Sequence, residues 1–73
     1  MEHSLDVVVA KLKANKKNIY VWVKVNATDH QSIQITYNAA VAWCKAVAKS
    51  HNNQIPCYFG DDIFLGRMYV TIA

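Results

Sequence analysis

The sequence predicts one α+β domain over residues 1–73: a small, mostly antiparallel sheet with two helices on one face, in the order α-β-β-α-β-β. Three observations carry this. Two segments space their apolar residues at the helical period, two short segments after Asn18 alternate at period two, and Pro56, Gly60 and Gly66 punctuate the last third.

Ser4 can cap a first helix, because Leu5, Val8, Val9 and Leu12 then fall at i, i+3, i+4 and i+7. Lys11, Lys13, Lys16 and Lys17 crowd its end, where cations suit the helix dipole. The alternative reading makes residues 5–13 a strand that turns at 15–18. From Ile19 the period is two: Ile19, Val21, Val23 and Val25 face one way, and Tyr20, Trp22 and Lys24 the other. A polar loop at 26–31 leads to a second short strand, where Ile33 and Ile35 alternate with Gln34 and Thr36, so the two strands form an antiparallel hairpin.

Thr36 or Asn38 caps the next helix, which runs to about Ser50. Tyr37, Ala40, Val41, Cys44, Val47 and Ala48 make one apolar face at helical spacing, and Ala39, Trp43 and Ala46 an adjoining one. A helix apolar over more than one sheet can cover predicts a homodimer through the Ala39/Trp43/Ala46 face. His51-Asn52-Asn53 ends it. A strand over 55–59 with Pro56 near its start, a turn at Gly60-Asp61-Asp62, and a strand over 63–72 with a bulge at Gly66 complete the order.

Whole-chain quantities narrow the function. A domain of 73 residues buries only about 60% of the surface its unfolded chain exposes, so its stability margin is thin. Apolar types make up 53% of the chain and charged types only 18%, below the usual quarter, which again points to apolar surface held in an interface. Two cysteines without a Cys-x-x-Cys or His-x-x-x-His pattern imply no disulfide scaffold, no structural metal and no cofactor. No apolar run approaches the roughly 18 residues of a membrane helix, and residues 1–6 lack a signal peptide's basic start and apolar run. The expectation is a cytoplasmic protein with no membrane role, in which Cys44 and Cys57 are free, buried thiols.

The chain offers little catalytic chemistry. Cys44 and His51 lie seven residues apart, about 10 Å along a helix axis, too far for proton transfer. The Phe59-Gly60-Asp61-Asp62 turn resembles the Gly-Asp-Asp turn of viral RNA polymerases, whose other acidic motifs are missing. Gly66, Tyr69 and Val70 resemble the glycine-aromatic-valine pattern of the RNA-recognition-motif family, and Ile19-Tyr20-Val21 its other short motif. That pattern breaks at Arg67 and Met68, and the element order differs.

In size and organisation, with a hairpin from Ile19, a helix from Tyr37 and closing strands, the chain resembles small phage-encoded inhibitors of the anti-CRISPR and anti-defence type. The resemblance implies a non-catalytic protein that occludes a host protein or sequesters a ligand in the host cytoplasm. The residues themselves point to a protein-binding module whose surface combines Tyr20, Trp22, Lys24 and Trp43 with the basic cluster Lys11, Lys13, Lys16 and Lys17. A basic nucleic-acid-binding domain is the alternative, on a net charge of +3 and a strand bearing Tyr20, Trp22 and Lys24. An oligomeric small-ligand binder is the second alternative.

Overall fold

Ser4 starts the first helix. Its hydroxyl oxygen accepts a hydrogen bond from the Val7 amide at 3.3 Å, and the chain turns helical from Leu5. A computed structural model describes residues 2–73 and runs β1 (His3–Ser4), α1 (Leu5–Ala14), β2 (Ile19–Lys24), β3 (His30–Gln34) and α2 (Tyr37–Lys49). Four short strands follow: β4 (Gln54–Ile55), β5 (Cys57–Phe59), β6 (Asp62–Phe64) and β7 (Tyr69–Ile72). Residues 5–13 are therefore helical, and the strand alternative for them is excluded. Thr36 caps α2, its hydroxyl oxygen accepting from the Ala39 amide at 3.1 Å.

The order α-β-β-α-β-β is corrected in three places. A two-residue strand, β1, precedes α1 and pairs antiparallel with β4. Pro56 has no N–H to donate, and what reads as one strand over 55–59 divides around it into β4 and β5. Gly66, at φ 88°, does not bulge a long strand but turns it back on itself. The Leu65 amide donates to the Met68 carbonyl at 2.8 Å across that turn, and β6 and β7 form a hairpin.

The first hairpin is tighter than the sequence suggests. Asn26 folds the loop around its side chain: its Oδ1 accepts from the Thr28 and Asp29 amides, both at 2.9 Å. Pairing then begins at His30, so His30 and Gln31 belong to β3 rather than to the loop.

The main sheet has five strands in the order β3-β2-β7-β6-β5, antiparallel at every step. Period two sorts its residues into two faces. Ile19, Tyr58, Ile63, Val70 and Ile72 form one buried cluster with Val8 and Leu12 of α1, Ala40, Cys44 and Ala48 of α2, and Ile55 of β4. The layer against the sheet is thus not the expected pair of helices alone: the β1–β4 ribbon is part of it, with Ile55 fully buried. Each fully buried Leu, Ile or Val side chain contributes about 1.5–3 kcal/mol against exposure.

The ribbon is held where α2 ends. Asn52 and Asn53 take left-handed conformations, φ 54° and 61°, which asparagine tolerates better than most residues. This brings the Asn53 amide to the Ala48 carbonyl and its carbonyl to the Leu5 amide, both at 2.9 Å, tying the end of α2 to the start of α1.

Candidate functional site: the uncovered face of the sheet

The second face of the main sheet follows from the registers. Trp22 stands opposite Ser32 on one side and Tyr69 on the other; Tyr69 opposes Phe64, and Phe64 opposes Cys57. At about 4.8 Å per strand this row crosses the whole sheet, roughly 19 Å. Its rings touch. Trp22 and Tyr69 stack with centroids 6.0 Å apart and planes at 21°, and Tyr69 meets Phe64 at 5.1 Å and 33°.

A parallel row holds Gln34, Tyr20, Thr71, Asp62 and Phe59. The Thr71 hydroxyl donates to the Asp62 carboxylate at 2.6 Å, so the acid on this face is engaged. Phe59 is 74% exposed and Phe64 42%. Both helices share their buried residues with the opposite face, and at the end of the aromatic row Phe64 and Cys57 line a groove with Val47 and Ser50.

The residues singled out from sequence divide between this face and elsewhere. Tyr20 and Trp22 lie on it half-buried, and Lys24 exposed beside His30. Trp43 is half-buried as well, but it packs against the core from α2 and lies away from this face. The exposed large apolar side chains are instead Val7, Val23, Val25, Ile33, Phe59 and Phe64. Tyr69, which enters the sequence reading only through the glycine-aromatic-valine pattern, and Phe64, which does not enter it as a surface residue, complete the aromatic row. Their signal was alternation with the buried Ile63 and Val70, usable only once the turn at Gly66 is known.

The basic cluster is dispersed in its engagements. Lys11 Nζ bridges to Asp61 at 3.1 Å, and the hydrogen bond and charge of Asp61 raise the lysine's pKa. Lys16 Nζ sits over the Tyr37 ring, 5.0 Å from its centroid. Lys13 and Lys17 are exposed, and the Lys17 carbonyl accepts from Gln34 Nε2 at 2.7 Å. All four belong to α1 or the turn after it, whereas Lys24 is the lysine on the aromatic face.

The thiols differ. Cys44 is fully buried, and desolvation pushes its thiol up to about 11, so at neutral pH it is protonated and inert as a nucleophile. Cys57 is exposed, against the expectation of a buried thiol, because in β5 the inward position falls to Tyr58. A groove of about 590 Å³ lies beside it, between Val47 and His51 of the helical layer and the Phe64–Leu65 end of β6. Among the described residues no group of three or more His, Cys, Asp or Glu side chains could hold a metal ion. Nor is any of their helices long and apolar enough to cross a membrane.

Compared with protein-family models, curated proteins and solved structures, the chain matches none.

Proposed function

We propose that this chain is a non-catalytic protein-binding module that docks through the uncovered face of its sheet. The observation that carries the reading is the row Trp22–Tyr69–Phe64, a contiguous aromatic strip on a face with no covering layer. Large aromatics held rigid by their neighbours are efficient interface anchors, because little side-chain freedom remains to be lost on binding. The engaged Asp62 and the peripheral Lys24 leave the centre of the strip free of bare charge, as interface centres usually are. Size and organisation like those of small phage-encoded inhibitors fit a protein that occludes a partner's surface, in the cytoplasm of a host.

Single-stranded nucleic acid is the second reading, favoured by aromatic rings on an open sheet face with Lys24 beside them. Against it, the other lysines near the N-terminal helix sit on α1 and its turn, and two of them already hold Asp61 and Tyr37.

One experiment separates the two. The protein is immobilised and titrated with host lysate, single-stranded RNA and duplex DNA across a salt series. The protein-binding reading expects a specific captured protein that is lost with Trp22→Ala or Phe64→Ala and kept with Lys13→Ala/Lys17→Ala. Tight RNA binding at 0.15 M salt, with log affinity falling steeply against log salt, would overturn it.

A further inference from the structure

The aromatic face ends at β3, and β3 is an edge without the usual protections. All five of its residues, His-Gln-Ser-Ile-Gln, are exposed, and none is lysine, proline or an acid, the types that normally keep sheet edges apart. The ladder with β2 shows which backbone groups are free. The Ile35 amide donates to the Ile19 carbonyl and the Val25 amide to the Asp29 carbonyl, each at 3.0 Å. With Val21 opposite Ile33 and Val23 opposite Gln31, alternation makes 31 and 33 the inward-bonded positions. The amides and carbonyls of His30, Ser32 and Gln34 therefore point away from the sheet.

Next to this edge lies apolar surface of the same hairpin. Ile33 is 48% exposed, Val23 37% and Val25 54%, on the face opposite the aromatic row and beyond the cover of the helical layer.

We propose that β3 pairs antiparallel with β3 of a second copy of this chain, about a two-fold axis through Ser32, and so joins two sheets into one of ten strands. The outward groups satisfy this register without a leftover. Ser32 meets the partner's Ser32, and His30 meets the partner's Gln34 at either end, all of them at positions that exchange paired hydrogen bonds. On the apolar face the two Ile33 side chains become diagonal neighbours, each opposite the partner's Gln31 and flanked by Val23.

Charge agrees as well. The same register brings Asp29 opposite the partner's Ile35, one residue from the Thr36 cap of α2. That helix start has no acid in its first turn and has Lys16 close by over Tyr37. The two-fold is isologous, so association stops at the dimer. Because the axis stands perpendicular to the sheet, both aromatic rows face the same side, separated by two β3 strands. This goes beyond the docking proposal and does not need it.

Sedimentation equilibrium from roughly micromolar to millimolar protein tests the pairing. Wild type is expected to rise from 8.3 kDa toward twice that mass. Ser32→Lys places two cations across the axis, and Ser32→Pro removes an outward amide that the monomer does not use. Both should stay at the monomer mass with an unchanged far-UV circular dichroism spectrum; if Ser32→Pro unfolds, Ser32→Lys decides. A wild type that remains monomeric throughout overturns the proposal. So does a Ser32→Lys protein that associates as wild type does, which would move the interface to another surface such as the Ala39/Trp43/Ala46 face of α2. Because Ser32 stands opposite Trp22, the docking reading is judged separately, by Trp22→Ala and Phe64→Ala in a chain that keeps Ser32.

Discussion

Alkaline pH should weaken this fold, and one buried sulfur atom makes the effect measurable. Cys44 Sγ is fully buried, and its pKa stands at about 11 against 9.0 for a free thiol. Above pH 9 the unfolded chain gains stability by ionising this thiol while the folded chain cannot, so folding stability is complete below 9.0 and falls as pH rises toward 11. At 1.36 kcal/mol per unit, the two-unit gap is worth about 2.7 kcal/mol in full, and about 1.3 kcal/mol is already lost between pH 8 and pH 10. A domain of this length has a total stability of about 4–11 kcal/mol, at about 0.05–0.15 kcal/mol per residue, so the loss is large. The assay is urea denaturation followed by tryptophan fluorescence at pH 8 and pH 10, with Cys44→Ala compared against wild type in a Cys57→Ser background. Cys44→Ala should cost about 1 kcal/mol at pH 8 through lost packing. It should then lose about 1.3 kcal/mol less than its parent on going to pH 10. The raised pKa of Lys11 acts in the same direction, its contribution fading as pH climbs above 10.5, but Lys11 is present in both proteins and cancels in the difference. An identical pH 8 to pH 10 loss in the two proteins would refute the reasoning.

Two further outcomes test the fold. Tyr69→Ala should destabilise the protein by about 2–4 kcal/mol, since it removes a half-buried ring and both of its aromatic partners at once, whereas Phe59→Ala, 74% exposed, should stay within about 0.5 kcal/mol; thermal melts would show the contrast. Asn53→Val should cost about 1–2 kcal/mol because a β-branched residue resists φ 61°, a fall of roughly 4–16 °C in Tm, while Asn53→Gly should be nearly neutral.

Local chemistry was legible where it acts over three or four residues. Ser4 and Thr36 announce both helix starts, and strict alternation from Ile19 identifies β2 together with its two faces. The run from Ile63 to Ile72 misleads because it is apolar nearly throughout and carries a single glycine, so composition does not distinguish a long strand from a hairpin turned at Gly66. The β1–β4 ribbon is invisible for a different reason: two residues are too few to show a period, and the pairing is imposed by the left-handed Asn52-Asn53 corner. Half of the candidate site was readable for the same reason that half was not. Tyr20 and Trp22 share a strand, but joining Trp22 to Tyr69 and Phe64 requires the strand order β2-β7-β6, a long-range fact that no single strand's pattern contains. Trp43 was placed outward by helical spacing alone, and packing drew it half inward.

Strand order also decides when the sheet can exist. β7, the last strand in the chain, occupies the middle position, between β2 and β6. Two hairpins can form early from neighbouring residues, β2 with β3 and β5 with β6, but nothing connects them until Tyr69–Ile72 inserts. The final closure spans about fifty residues of chain, from Ile19 to Ile72, and is sealed by the Ala73 amide on the Asn18 carbonyl at 2.9 Å. Without β7 in place, β2 and β6 each present an open strand edge and Trp22 lacks its stacking partner. Closing the sheet requires a long-range search, and removing residues 69–73 splits the sheet in two rather than trimming an edge.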